Sequence, residues 1–292
     1  SPTGTGHKLV RFAPTPPLPS YLVSLAVGPF EAVDAGTAGR NKTPIRVITP
    51  RGRSAEARYA TEITGPILDR LEDYFGSPYP FDKLDLIAVP QQGGAMENPG
   101  LITFRQSLLL AAPAEQTLRF QRGLALTAAH ELAHQWFGDL VTMAFWDDLW
   151  LNESFASWTE AKIIAGLRPT WGVRKAVVAS RNGAMNADGL LSARRIRQPI
   201  KSEDDIANAF DAITYNKGQA VLDMFERHLG EDTFRRGVRR YLATHARKNA
   251  TAADFLRALS EEAGSDVAGP MGTFLDQPGV PLVRVAIDCQ HK

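Results

Sequence analysis

The sequence predicts an α+β fold in which a small β-sheet lobe is followed by a mainly α-helical lobe. Short runs rich in β-branched residues, which are typical of strands, fall before residue 105. From residue 114 onward, apolar residues recur instead with the spacing of helices. Because the strand pattern is concentrated before residue 105 and the helical pattern dominates after residue 114, they indicate α+β rather than α/β architecture.

The sheet lobe is predicted from four apolar runs and one helical segment. Strands are expected at residues 21–27, 44–49, 84–89 and 101–104. The third strand ends at Pro90, which cannot donate a ladder hydrogen bond. Residues 54–75 carry Ile63, Ile67 and Leu71 at helical spacing, so they predict a helix between the second and third strands.

The helical lobe is predicted from six periodic segments. Helices are expected at residues 115–138, 152–166, 171–187, 216–229, 232–246 and 251–263. The sequence contains no internal repeat and no low-complexity tract. We therefore expect one helical lobe packed beside the small sheet, with a cleft between them.

The bulk composition is that of an ordinary soluble globular protein. The 292 residues are 44% hydrophobic and 22% charged, with a formal net charge of +1. Such a balance favours neither nucleic acid nor a membrane surface as a partner, and we expect neither. Cys289 is the only cysteine, so no intrachain disulfide is expected. Without an apolar run of about 18 residues or a signal peptide, we expect a soluble protein in the cytoplasm or the periplasm.

The most informative segment is His130-Glu131-Leu132-Ala133-His134. Residues four apart lie on one face of a helix, roughly 5–6 Å apart, so His130 and His134 are placed to share one metal ion. Glu131 lies about 100° around the helix and flanks the metal without binding it. A general base for hydrolysis by a metal-activated water belongs at that position. The pattern predicts a zinc hydrolase.

A third metal ligand is expected from a carboxylate that follows this segment. A metzincin would place Gly at 137 and His at 140, but Phe137 and Leu140 stand there, which excludes that class. The candidate carboxylates are those of Asp139, Asp147, Asp148 and Glu153. We choose Glu153, which opens an apolar-periodic run after the predicted N-cap Asn152. The alternative is a first-turn acid that only complements the helix dipole.

Two further segments carry candidate functional residues. A glycine-rich stretch after a predicted strand contains Gly94, Ala95, Met96, Glu97 and Asn98. Taken alone, it indicates a turn, although its glycines would also let a bound peptide approach the backbone. Tyr215 begins an amphipathic segment, where a tyrosine is usually a core residue with its hydroxyl at the edge.

Together these segments resemble the aminopeptidase N family of zinc exopeptidases, in the gluzincin clan. Glu153 follows the second histidine by nineteen residues, as in that family. The segments 94–98, 150–156 and 215–218 match its exopeptidase signature, third-ligand segment and catalytic-tyrosine segment. The resemblance covers nearly the whole chain, and it implies a thermolysin-like zinc peptidase catalytic domain.

The resemblance also implies a role for each site residue. His130, His134 and Glu153 are expected to bind one Zn²⁺ per chain, and Glu131 to act as the general base that, with the zinc, activates water. Tyr215 is expected to donate a hydrogen bond to the oxyanion. Glu97, within residues 94–98, is expected to bind the free α-ammonium of a peptide substrate. The expected reaction is hydrolysis of the N-terminal peptide bond.

The resemblance further predicts the domain organisation. Residues 1–50 are expected to be the remnant of an N-terminal β-domain and a linker, and residues 51–292 the catalytic domain, with flanking domains in a longer parent protein. Two alternatives remain open: a thermolysin-type endopeptidase, and a zinc-binding module that is inactive because flanking domains are missing. One branch of the family hydrolyses epoxides, but none of these residues favours that activity.

Overall fold

The computed structural model describes residues 9–287 and contains both predicted lobes. The strands are β1 (Phe30–Ala38), β2 (Thr43–Pro50), β3 (Leu84–Val89), β4 (Ala95–Met96), β5 (Leu101–Arg105), β6 (Val141–Met143) and β7 (Lys248–Ala250). The helices are α1 (Arg58–Phe75), α2 (Gln106–Leu109), α3 (Leu118–His134), α4 (Trp150–Leu167), α5 (Val173–Asp188), α6 (Glu203–Ala209), α7 (Gly218–Leu229), α8 (Glu231–His245), α9 (Ala252–Ala263) and α10 (Ala268–Asp276). The mixed α+β architecture is confirmed, whereas its thermolysin-like character stays a prediction.

The main sheet has five strands in the order β1-β2-β3-β5-β4. β2, β3 and β5 run parallel, and the two edge strands, β1 and β4, pair antiparallel with their neighbours. Alternate residues of β2 are buried, among them Ile45 and Val47, so one face of this strand packs against the core. β4 is only two residues long, and it places residues 95–98 at the sheet edge beside α3.

Helices α3 and α4 pack against each other in the interior and form the centre of the helical lobe. Thr117 caps α3 by accepting a hydrogen bond from the N–H of Phe120. All residues from Trp150 to Thr159 of α4 are buried. A helix that is surrounded on every side by protein shows no amphipathic stripe, and its first turn is rigidly held.

Several sequence predictions about secondary structure are wrong. Residues 21–27 form no strand: a 3₁₀ turn at Ser20–Leu22 leads into chain whose Val23, Leu25 and Val27 are more than 70% exposed. Their alternation is strand-like, but no neighbouring strand pairs with them in the described part of the chain. The strand β1 was not predicted; a bulge between Asp34 and Thr37 breaks its alternation.

The predicted boundary at residue 50 stays a prediction. β1 and β2 lie before it, and β2 is hydrogen-bonded in parallel to β3, which lies after it. Among residues 9–287, no helix combines the length and the apolar composition that a bilayer crossing demands.

Candidate metal centre and its surroundings

Two histidines and one glutamate converge between α3 and α4. The rings of His130 and His134 project from one face of α3, 4.8 Å apart. Glu153, in the first turn of α4, directs its Oε2 to within 3.3 Å of His130 Nε2 and 3.4 Å of His134 Nε2. Across residues 9–287, these three side chains form the group of His, Cys, Asp or Glu whose geometry suits a shared metal ion, and we refer to them as the metal-ligand group.

Hydrogen bonds behind both imidazoles orient them for metal binding. His130 Nδ1 lies 2.9 Å from Glu160 Oε2, and His134 Nδ1 lies 3.0 Å from the carbonyl oxygen of Phe137. Because the carbonyl only accepts, Nδ1 of His134 carries the proton. Each Nε2 then faces Glu153, and without its proton it can offer a lone pair to a cation shared with that carboxylate. Second partners of this kind fix the tautomer and orientation of metal-ligating histidines, so the residues fit a bound cation.

The chemistry of the donor set suits a zinc ion. Two imidazole nitrogens and one carboxylate are ligands that suit zinc, and three protein ligands leave a fourth position for water or substrate. The three groups are buried or nearly so. The arrangement therefore has the composition of a catalytic zinc site, not of a closed structural one.

None of the other carboxylates considered as third ligands belongs to this group among the described residues. Asp148 accepts hydrogen bonds from the N–H of Ala252 and from Trp150 Nε1. Asp139 is buried, and neither of its oxygens has a hydrogen-bond partner among the described residues. Burial and the negative charges of Glu97 and Glu131 raise the pKa of the Asp139 carboxyl well above its ordinary value.

The prediction of Asn152 as the N-cap of the second helix is wrong. α4 begins at Trp150, after a 3₁₀ turn at Trp146–Asp148, so Asn152 already lies inside the helix. It is buried, and its Nδ2 approaches the hydroxyl of Tyr21 at 3.4 Å. Glu153 keeps its place in the first turn, but it is presented by the packing of α4 and not by an asparagine cap.

The carboxyl group of Glu131 lies beside the metal-ligand group in a dry environment. The residue is 6% exposed. Burial raises the pKa of its carboxyl to about 7, although the nearby His130 and His134 oppose the shift. A carboxylate whose pKa lies near neutrality is suited to accept and return a proton. The placement and proton affinity of Glu131 agree with the role of general base, which stays a prediction.

The site stabilises positive charge. Burial opposes the charged form of His134, but the negative charges of Glu97 and Glu153 outweigh it and raise the pKa of His134 to about 9. Burial likewise opposes the charged form of His130, and its hydrogen bonds with Glu153 and Glu160 outweigh that burial. The pKa of His130 therefore lies well above its ordinary value. A dication would experience the same attraction.

Tyr215 reaches the metal-ligand group from a π-helical turn, Ile213–Lys217, that precedes α7. Its ring is nearly parallel to that of His130, with centroids 6.1 Å apart. Burial, followed by the charge and hydrogen bond of Glu153, raises the pKa of its hydroxyl above the ordinary value. The hydroxyl thus stays protonated and able to donate. π-Helical turns are rare and occur frequently at functional sites.

The π-helical turn is anchored directly to α4. Ser154 Oγ donates to the carbonyl of Thr214 at 2.6 Å. Gly218 permits this approach, because a Cβ there would lie only 1.9 Å from Ser154 Oγ. This hydrogen bond joins Ser154, which follows Glu153, to Thr214, which precedes Tyr215. It therefore fixes the position of Glu153, the candidate third ligand, relative to Tyr215.

The segment 94–98 forms the wall of the site on the side of the sheet. Ala95 and Met96 pair with Phe104 and Thr103 as the edge strand β4, so the segment is not only a turn. Gly94 precedes them with a φ of +68°, a conformation that favours glycine. Its surroundings would leave space for a side chain, so the backbone conformation is what requires glycine there.

Glu97 and Asn98 are the buried end of this segment. Asn98 Nδ2 donates to the carbonyl of Leu22 at 3.0 Å, and its Oδ1 accepts from Thr103 Oγ1 at 3.1 Å. The negative charge of Glu97 acts on Glu131 and on His134. The structure therefore brings Glu97 to the same buried site as the metal-ligand group.

Sequence reasoning missed two residues of this site. Glu160 was not singled out, although it follows Glu153 by seven residues and thus lies two turns along the same face of α4. That spacing was a usable signal. Gln135 also went unnoticed; it is fully buried and donates to the carbonyl of Glu97 at 2.7 Å. No local pattern predicts that contact, because the partners are 38 residues apart.

Comparison with known proteins agrees with this geometry. Residues 59–274 match the model of the peptidase family M1 domain. The chain is 39% identical over 283 residues to "Probable aminopeptidase 2" of Sulfurisphaera tokodaii, covering 96% of this chain and 36% of that protein. It is 40% identical over 280 residues to "Aminopeptidase 2" of Candida albicans, covering 95% and 30%.

A third relative is "Leucyl aminopeptidase" of Saccharolobus solfataricus, 39% identical over 286 residues, with 97% of this chain and 36% of that protein covered. The chain thus spans about a third of the length of these curated relatives. The predicted resemblance to the aminopeptidase N family is confirmed, and the chain belongs to peptidase family M1.

Proposed function

We propose that this chain is the catalytic part of a zinc-dependent aminopeptidase that hydrolyses the N-terminal peptide bond of peptides. The observation that carries the proposal is the presence of Glu97 in the same buried site as His130, His134 and Glu153. A peptidase centre needs only the metal ligands and a base. A further buried acid beside them calls for a cation, and the α-ammonium of a peptide supplies one.

His130, His134 and Glu153 would hold the zinc ion, with Glu160 and the carbonyl of Phe137 orienting the imidazoles. When bound, zinc supplies Lewis acidity, which polarises the scissile carbonyl and lowers the pKa of water. Two of the relatives are named as aminopeptidases and one as a leucyl aminopeptidase, which supports peptide substrates for this chain as well.

The side chains of the site divide the remaining work. Glu97 binds the substrate's ammonium, and the exposed edge of β4 lies where an extended peptide backbone can approach it. Glu131 takes a proton from the attacking water and passes it to the departing amine. Tyr215 donates its hydroxyl proton as a hydrogen bond to the oxyanion that develops on the carbonyl.

Recognition of the ammonium accounts for exopeptidase specificity. A free N-terminus can neutralise Glu97, whereas a blocked N-terminus leaves this carboxylate buried without a cation. An uncompensated buried charge costs about 3–5 kcal/mol relative to the paired state, which corresponds to a discrimination of roughly 10²–10⁴-fold. Peptides with a free N-terminus are therefore the expected substrates.

The test compares leucyl-p-nitroanilide with its N-acetylated form on the purified chain, with and without a chelator. The proposal expects cleavage of the free-amine compound alone, loss of this activity with chelator, and recovery on addition of zinc. Equal cleavage of both compounds would make the protein an endopeptidase of the thermolysin type. A zinc-loaded protein that cleaves neither compound, and that also fails to cleave peptides of greater length, would be a zinc-binding module.

A further inference from the structure

A single amide, that of Gln135, links the segment carrying Glu97 to the helix carrying Glu131. Gln135 Nε2 donates to the carbonyl of Glu97 at 2.7 Å and approaches the carbonyl of Glu131 at 3.5 Å. Gln135 Oε1 accepts from the hydroxyl of Tyr79 at 2.9 Å and from the N–H of Gly100 at 3.3 Å. The side chain is completely buried, so water cannot replace these partners.

Only one orientation of this amide satisfies its partners. The N–H of Gly100 can only donate, and the carbonyl of Glu97 can only accept. A flipped amide would place a donor against a donor and an acceptor against an acceptor. Both sides are buried, where an unsatisfied polar group is costly. Gln135 therefore sets the distance from the end of the helix α3 to the backbone of Glu97 and Gly100.

This separation has a chemical meaning under the proposed function. Glu97 binds the ammonium, and Glu131 transfers the proton at the scissile peptide bond. The distance between these two side chains must therefore match the length of one amino-acid residue. We propose that Gln135 is a positioning residue that sets this spacing, and thereby the cleavage after the first residue. The inference rests on the proposed function, because it assigns the amine to Glu97.

The test measures how much the amine of a ligand contributes to binding. The probes are leucine hydroxamate and its des-amino analogue, 4-methylpentanohydroxamic acid, which share the metal-binding group and the side chain. Calorimetry gives both dissociation constants for the zinc-loaded chain, and their ratio reports the ammonium site independently of turnover. In Gln135→Met, we expect this ratio to fall at least about tenfold, with des-amino binding within about twofold of the unmutated chain.

Tyr79→Phe provides the matched control. It removes a hydrogen bond to the Oε1 side of the same buried amide and leaves the bond from Nε2 to Glu97 in place. The ratio should stay within about twofold of the unmutated value, because Gly100 still holds the amide's orientation. Gln135→Asn keeps the amide but shortens its reach by one methylene, so it should lower the ratio as well. If Gln135→Met does not fold, Gln135→Asn replaces it as the test variant.

The outcomes separate the two proposals. If the unmutated chain binds both hydroxamates equally, Glu97 is no amine anchor, and the proposed function fails together with the inference. If the unmutated chain prefers the amine and both Gln135 variants prefer it equally, only the inference is overturned. An equal loss in Tyr79→Phe would also overturn it, because loosening of the core would then explain the effect.

Discussion

The metal-ligand group and the segment 94–98 face each other across the site, but they are held in place by different means. His130, His134 and Glu153 stand on α3 and α4, whose backbones are fixed by their own hydrogen bonds, and every residue from Trp150 to Thr159 of α4 is buried. Glu97 follows a two-residue edge strand, with the exposed glycines 93 and 94 before it. Its backbone is held by the short pairing of β4 with β5 and by a few hydrogen bonds from side-chain amides.

Under the proposed function, this difference separates catalytic chemistry from substrate recognition. Helix-borne groups are fixed by many redundant contacts, as the placement of hydrolytic machinery requires. Beyond the pairing of β4 with β5, the segment 94–98 is fixed by the side-chain hydrogen bonds of Gln135 and Asn98, so individual substitutions can alter it without disturbing the helices. Substitutions at the helices should change metal binding or turnover, whereas substitutions at this segment should change the preference for a free amine.

The largest effect is expected for Glu131→Gln on the helical side. Removing the base should lower kcat by roughly 10²–10⁴-fold, while the three metal ligands stay in place. Kinetics with leucyl-p-nitroanilide and zinc analysis of the same sample measure both quantities. If zinc were lost together with activity, Glu131 would have to be a ligand, and the division of roles would be wrong.

Tyr215→Phe should have the next largest effect. The variant keeps the ring beside His130 and loses only the hydroxyl, so kcat should fall by roughly 10²–10³-fold, the cost of one oxyanion donor. KM should change little, since the hydrogen bond strengthens only as charge develops on the carbonyl. A change confined to KM would assign the hydroxyl to substrate binding and remove it from the catalytic group.

Glu97→Ala tests the opposite wall. Loss of the ammonium partner should lower kcat/KM for the free-amine substrate by about a hundredfold or more, with unchanged zinc content. Glu97→Gln is the matched variant, because it removes the charge and keeps the shape. Both should narrow the gap between free and N-acetylated substrates. An unaltered gap in both variants would show that recognition of the amine lies elsewhere.

Glu160→Gln should have the smallest effect of the four. The amide keeps the size of the side chain but weakens the hydrogen bond to His130 Nδ1, so zinc affinity should fall by roughly 10- to 100-fold. Competition with a chromophoric chelator measures this affinity. With saturating zinc, the free-amine preference should equal that of the unmutated chain; a changed preference would break the separation between the two walls.

The sequence predicted the helical side of the site better than the sheet side. His130 and His134 share a face because helical spacing is local, and that geometry follows directly from four-residue separation. The strand β3 was predicted at residues 84–89, and it occupies Leu84–Val89. α9 begins at Ala252, after the capping box of Thr251 and Asp254, close to its predicted start.

The wall that carries Glu97 depends on long-range contacts that no local pattern encodes. Asn98 contacts the carbonyl of Leu22, 76 residues earlier, and Gln135 contacts Glu97 from the other lobe. The start of α4 was misjudged for a similar reason, since packing around Trp150 makes the helix begin at Trp150, before Asn152. Residues 21–27 show the reverse error. Their local alternation predicts a strand, but a strand also needs a partner strand, which local alternation does not supply.

The zinc content of the purified chain is the most direct test of the central claim, a metal centre separate from the amine-binding wall. Elemental analysis should find one zinc per chain in the unmutated protein and in Glu97→Ala, and almost none in His130→Ala. Absence of zinc from the unmutated protein even after incubation with Zn²⁺, or equal zinc in His130→Ala, would contradict the assignment of the metal centre. Loss of zinc in Glu97→Ala would contradict its separation from the amine-binding wall.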